Sequence, residues 1–131
     1  MDQEAIRSQV AAAFGRYLTA FLQNDMPTIN SVVSYPLAYI GAADVRLFDK
    51  FPIDPGQLVR AKGWHATVNM QHEVVALSTT KAHVILRTAD RVRKDGSLIE
   101  TASGFYAFKL TGRNWQMFAL SDVVNPATQS N

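Results

Sequence analysis

The chain has 131 residues, about one domain's worth, and its 47% hydrophobic content fills a core and excludes intrinsic disorder. Lys and Arg number 13 against 11 Asp and Glu, so the net charge is only +2, and the pI of 9.1 reflects a small surplus rather than a nucleic-acid footprint. Cysteine is absent, which excludes disulfides, a thiol nucleophile and Cys-based zinc sites.

Residues 3–23 carry Ile6, Val10, Phe14, Tyr17 and Phe21 at helical spacing, which predicts a first helix ending near Asn24-Asp25. Pro27 suits the first turn of a short second helix, with Asp25 or Met26 near its cap and an end around Ser34. Pro36 pushes Tyr35 into an extended conformation, and Leu37 to Ile40 read as a short strand ended by Gly41. Residues 41–56 are the least regular. Asp54-Pro55 then starts a short helix over Gly56 to Lys62, with Gly63 as its C-terminal stop.

From residue 66 the pattern is that of strands. Val68 to Leu77, Ala82 to Arg93, Leu98 to Leu110 and Trp115 to Val124 form an antiparallel meander, joined by turns at Ser78–Lys81, Asp95-Gly96 and Thr111–Asn114. The whole chain, 1–131, reads as a single α+β domain, with residues 125–131 as a flexible tail. The longest unbroken apolar run, Val10 to Phe14, is far short of the ~20 residues that span a bilayer. The first residues lack the apolar region of a secretory signal, so the expectation is a cytoplasmic protein without membrane or nucleic-acid partners.

Hairpin register gives the facing of side chains. Pairing Lys94 with Ser97 sets Arg87 opposite Gly104 and Ile85 opposite Tyr106. Pairing Leu77 with Ala82 sets His72 beside Arg87. One face then carries His72, Val74, Ile85, Arg87, Gly104, Tyr106, Phe108, Trp115 and Met117. The other carries Val75, Val84, Leu86, Phe105, Ala107, Phe118 and Leu120, with Glu73, Asp90 and Asp122 toward its ends. Both are apolar at their centres, so two covers are expected: the helices, and a second copy of the chain. The homodimer face is Val84, Leu86, Phe105, Ala107, Phe118 and Leu120. A single β-bulge would exchange the faces beyond it.

The order of elements resembles the NTF2-like superfamily (SnoaL-like, cystatin-like), over residues 3–124. The residues that carry the resemblance are Arg16-Tyr17-Leu18-Thr19-Ala20-Phe21 followed by Asn24-Asp25, and the closing hairpin Gly112-Arg113-Asn114-Trp115-Gln116-Met117. The resemblance implies N-terminal helices packed in the concave face of a strongly curved, mostly antiparallel sheet, and a cone that takes a small molecule. Ketosteroid isomerases are similar in the oxyanion tyrosine, which matches Tyr17. Their base falls on Gly41 and their second oxyanion donor on Gly104, so ordinary isomerase chemistry is not expected; the nearest carboxylate to the base position is Asp44. The Arg-x-Asp pair of limonene-epoxide hydrolases is answered only by Arg87 and Asp90, which a strand places on opposite faces. The polyketide-cyclase branch, which uses an acidic residue or His in the pocket, is neither assigned nor dismissed.

The candidate catalytic residues are Tyr17 as a hydrogen-bond donor, with His72 and Arg87 to orient a ligand or move a proton. Tyr35, Tyr39, Tyr106 and Trp115 complete the expected ligand pocket. His65, His72 and His83 do not form a zinc pattern, and neither a phosphate-binding glycine loop nor a serine elbow is present, so no metal or other cofactor is expected. Two functions follow. One is a binder, or a cofactor-free isomerase, cyclase or hydratase-type enzyme, for a small, largely apolar, oxygen-bearing molecule. The other is a noncatalytic dimerisation or interaction module whose cone is filled by its own side chains.

Overall fold

The computed structural model describes residues 2–127. The chain runs α1 (Gln3–Leu22), α2 (Met26–Ser31), β1 (Val33–Ile40), β2 (Val45–Phe48), α3 (Pro55–Lys62), β3 (Ala66–Leu77), β4 (Lys81–Val92), β5 (Leu98–Thr111) and β6 (Asn114–Pro126). The helix starts follow local chemistry. Asp2 accepts from the Ala5 amide at 2.7 Å, Asp25 from the Thr28 amide at 3.3 Å and Asp54 from the Gly56 amide at 2.9 Å. Pro27 and Pro55 sit in first turns, where a missing N–H costs nothing. Gly63 ends α3 at φ +71°, a left-handed conformation that suits glycine.

The fold is α+β. Its strands make one six-stranded sheet in the order β2-β1-β6-β5-β4-β3, antiparallel except where β1 runs parallel to β6. The irregular stretch after Gly41 contains a strand that alternation did not reveal: β2 folds back on β1, pairing Leu37 with Phe48 and Ile40 with Val45. Asn125 and Pro126, expected in the tail, are ladder residues opposite Thr101 and Glu100. The rest of that tail beyond Ala127 lies outside the described residues. Among the described residues no helix is long and apolar enough to cross a membrane.

The α1 helix covers one face of the sheet, here called the inner face. Phe14 is fully buried, worth about 2–3 kcal/mol of apolar burial, with its ring 4.8 Å from Tyr106 and 6.2 Å from Phe108. Tyr106 pairs across the sheet with Val84 and Leu120, and Phe108 with Ala82 and Met117, so all six face α1. Ile85, Phe105 and Ser121 pair on the outer face, as do His83, Ala107 and Ala119.

Two bulges decide this arrangement. Over Ala89 to Arg91 the register is as expected, with Arg91 opposite Glu100 and Ala89 opposite Ala102, while at the turn itself Val92 pairs with Leu98 and Ile99 is the extra residue. Between Ala89 and Leu86, β4 spends Arg87 and Thr88 against the single residue Ser103, and every side chain beyond changes face. In β6, Phe118 is the extra residue between Met117 and Ala119. The dimer-face assignment is therefore corrected at three positions. Val84, Leu86 and Leu120 are core residues on the inner face, with Val84 0%, Leu86 5% and Leu120 1% exposed. Phe105, Ala107 and Phe118 do lie outside.

Candidate functional site

A cavity lies between the C-terminal half of α1 and the inner face of β3 to β6. Tyr17 and Phe21 come from α1, Trp64 from the segment after α3, Leu86 and Arg91 from β4, Tyr106 from β5, and Leu120 and Asp122 from β6. Its lining is mostly apolar, and its volume is about 50 Å³. That is room for about three to five waters, or for a compact ligand.

Three polar side chains give the cavity its chemistry. The hydroxyls of Tyr17 and Tyr106 make no hydrogen bond with a described residue, yet among the described residues no fully buried polar side-chain atom lacks a partner. Both hydroxyls are therefore open to the cavity. Burial pushes the Tyr17 phenol well above its ordinary value, and the neighbouring Tyr106 and Asp122 add to the effect while Arg91 opposes it. Burial likewise holds Tyr106 far above the usual tyrosine range, with Asp122 adding to it. Both stay protonated at neutral pH and can only donate or accept hydrogen bonds. Asp122 faces the cavity because the Phe118 bulge turned it inward, and it accepts a short hydrogen bond from the Tyr39 hydroxyl. Burial first, then that bond, pushes Tyr39 up to about 12.

Beneath Arg91 lies a buried ion cluster. Glu100, 3% exposed, receives Arg91 Nη1 at 2.5 Å and Lys62 Nζ at 2.6 Å. Burial works to raise the Glu100 carboxyl, but the Lys62 and Arg91 hydrogen bonds and charges hold it below its ordinary value.

The sequence-derived candidates divide. Tyr17 and Tyr106 line the cavity, and Tyr39 reaches it through Asp122. The His72–Arg87 pair does not form, because an extra residue in β3, Val75, shifts the β3–β4 register by one and sets His72 opposite Leu86. His72 rests its edge on Phe14 at 5.1 Å and is otherwise exposed, away from the cavity lining. Arg87 is an exposed partner of Glu73 on the surface. Tyr35 donates to Asn30 at 2.5 Å on the surface. Trp115 is a buried anchor that donates to Gln9 at 3.1 Å, and Gln9 lies ~12 Å along α1 from Tyr17. Asp44 is an exposed loop residue bonded to Arg46 at 3.1 Å, not a displaced base. Sequence reasoning missed Arg91 and Asp122 as cavity residues. Plain alternation along β4 already sets Arg91 on the inner face, whereas Asp122 is found only once the Phe118 bulge is placed. Among the described residues no three His, Asp or Glu side chains gather as metal ligands.

No protein-family model matches the sequence, and no curated protein matches it. Solved structures do. An NTF2-like protein from Cytophaga hutchinsonii matches at TM-score 0.65 and 17% identity, over 97% of this chain and 100% of that one. A ketosteroid isomerase-like protein from Erwinia carotovora atroseptica matches at TM-score 0.65 and 16% identity, over 95% and 98%. A hexachlorocyclohexane dehydrochlorinase from Novosphingobium barchaimii matches at 0.63 and 14%, over 94% and 88%. At these identities the likeness is one of fold, and this fold carries many unrelated activities.

Proposed function

We propose that this NTF2-like fold binds a small, largely apolar, oxygen-bearing molecule in the cavity under α1 and acts on it by cofactor-free acid–base chemistry. The observation that carries the reading is the Asp122 carboxylate, which shares a mostly apolar cavity with two tyrosine hydroxyls that have no hydrogen-bond partner among the described residues. Tyr17 and Tyr106 donate to a ligand oxygen. Asp122, oriented by Tyr39, accepts a proton from a neighbouring carbon or from a hydroxyl. Negative charge developing on the ligand oxygen meets two fixed donors in a low-dielectric site, where such donors are worth most. The volume of about 50 Å³ favours a compact ligand over a fused-ring skeleton. A dehydrochlorinase and a ketosteroid isomerase-like protein share the fold, and both names are compatible with proton removal from carbon.

The test is native mass spectrometry followed by denaturation, then ligand-observed NMR with small ketones. Binding is expected to weaken about tenfold in Tyr17→Phe with little loss of stability. Ala102→Leu, which fills the cavity from β5, is expected to abolish it. Ketones that bind Ala102→Leu as they bind the parent would remove the cavity from consideration.

A second reading concerns the outer face. It carries Ile85, Phe105, Ala107 and Phe118, with Val123 57% exposed at one end. We propose that a second copy of the chain covers this face, sheet against sheet. This assembly is compatible with an occupied cavity. It also serves the noncatalytic alternative, an interaction module that leaves the cavity unused.

A further inference from the structure

We propose that the ligand of this cavity is a carboxylate, held by the Arg91 guanidinium, with its second oxygen directed at Tyr17 and Tyr106. The proposal deepens the small-molecule reading above and rests on it.

Glu100 is buried, and its two oxygens are taken separately, Oε1 by Lys62 at 2.6 Å and Oε2 by Arg91 at 2.5 Å. Two cations share one carboxylate, so the cluster keeps one positive charge. Lys62 is 41% exposed at its side chain and is solvated, whereas the Arg91 side chain is only 16% exposed. The unbalanced charge thus sits mainly at the wall of the cavity, away from water.

Donor count points the same way. A guanidinium carries five N–H groups in a planar fork. Arg91 uses Nη1 on Glu100, and its other donors have no hydrogen-bond partner among the described residues. The fork is also held in place. Its carbon lies 5.9 Å from the centroid of Trp64, and the Trp64 indole N–H donates to Ala66 O and Thr67 Oγ1, both at 3.1 Å. A positioned cation with spare donors on an apolar cavity wall suits a bidentate acceptor, and a carboxylate is the compact one.

Spacing assigns the rest of the ligand. Arg91 on β4 stands level with Glu100 of β5 and Asp122 on β6 level with Gly104, so the two are separated by two strands across the sheet and by ~13 Å along it, with the Tyr106 hydroxyl over Gly104. A ligand with its carboxylate on Arg91 extends toward the tyrosine hydroxyls and presents a second oxygen there. A short oxo acid has this form. Its carboxylate is kept from Asp122 by that span, so the two negative groups do not compete for one place.

The probes are 4-oxopentanoate and its neutral amide, titrated against the full chain by calorimetry or ligand-observed NMR. The acid is expected to bind at least tenfold more tightly than the amide. Arg91→Gln should remove that preference. Lys62→Gln does not touch the cavity, but it leaves Glu100 entirely to Arg91, and it should weaken the acid several-fold while leaving the amide unchanged. If Arg91→Gln does not fold, the acid–amide ratio and Lys62→Gln decide. Equal binding of acid and amide to the parent would overturn the carboxylate assignment and leave the cavity reading standing. If the acid, the amide and neutral small ketones all fail to bind, both readings fall.

Discussion

A β-carbon built on Gly104 would stand 3.0 Å from the Tyr106 hydroxyl oxygen. The two residues are one pleat apart on the inner face of β5, and the tyrosine ring folds back across the glycine. Gly104 is the place where the resemblance to ketosteroid isomerases calls for a second donor and finds none. The hydroxyl of Tyr106 lies over that position. The same β-carbon would meet Tyr106 Cε2 and the Ser121 carbonyl oxygen, each at 3.1 Å. Gly104→Ala must therefore move the ring while a backbone atom blocks relaxation. We expect a loss of about 1–3 kcal/mol in chemical denaturation, as for overpacked cores. Adding Tyr106→Phe should recover only part of it, because the ring carbon and the carbonyl remain. A Gly104→Ala protein as stable as the parent would mean that the ring does not lie over the glycine.

The tyrosines give an alkaline signature. Tyr17 and Tyr106 are raised chiefly by burial, Tyr39 is pushed up to about 12 by burial and by Asp122, and Tyr35 is raised to a lesser degree. These account for all 4 tyrosines in the chain. A phenol whose value is raised in the folded state contributes stability that is complete below its unfolded value of 10.0. That contribution is lost as pH rises from there through the folded values. Tyrosinate absorbance of the native protein should show no step of normal size near pH 10, and unfolding should set in above it. A native tyrosine ionising at or below pH 10 would contradict the closed environment described for the site.

Much of the fold was legible because periodicity and turn chemistry are local. The long first helix, the two proline-started helices α2 and α3, and the meander of long strands all follow from residues within a few positions of one another. The candidate site was legible only in part. Tyr17 was found from its place on α1, and Tyr106 from pairing near the centre of the sheet. Arg87 was expected on the inner face opposite Gly104, but one extra residue at Arg87-Thr88 puts Leu86 there and leaves Arg87 at the surface. Asp122 was placed outside for the same reason, one bulge at Phe118. Alternation of side chains is exact within a strand, and the bulge that resets it depends on pairing with a distant strand, which alternation alone does not record.

Glu100 provides an acid signature of opposite sign. Burial alone would raise its carboxyl, yet Lys62 and Arg91 hold it below the ordinary 4.5. A depressed value contributes stability that is complete above the unfolded value and is lost as pH falls through the folded one. Glu100→Gln leaves two cations facing each other and should cost about 3 kcal/mol near pH 7, the usual range for removing one partner of a buried pair. The gap between parent and variant should close as pH falls below 4.5, where the unfolded parent takes up the proton. A gap that stays constant down to pH 3 would show that the stability difference does not come from the charge of Glu100.

Phe118 tests the outer face. It is the extra residue of the β6 bulge, with the Lys109 ammonium 5.3 Å and the Lys81 ammonium 5.9 Å from its ring centroid. Phe105 and Ala107 lie on the same outer face of the neighbouring strand β5. Phe118→Glu places a carboxylate between two lysines, which a folded monomer accommodates. In a sheet-against-sheet dimer the same change buries charge against the partner's apolar face, where desolvation costs several kcal/mol. Sedimentation should therefore find the parent dimeric and the variant monomeric, with thermal unfolding of the variant becoming independent of concentration. A parent that sediments as a monomer would mean that this face needs no second copy. A variant that remains dimeric would place the contact on other residues.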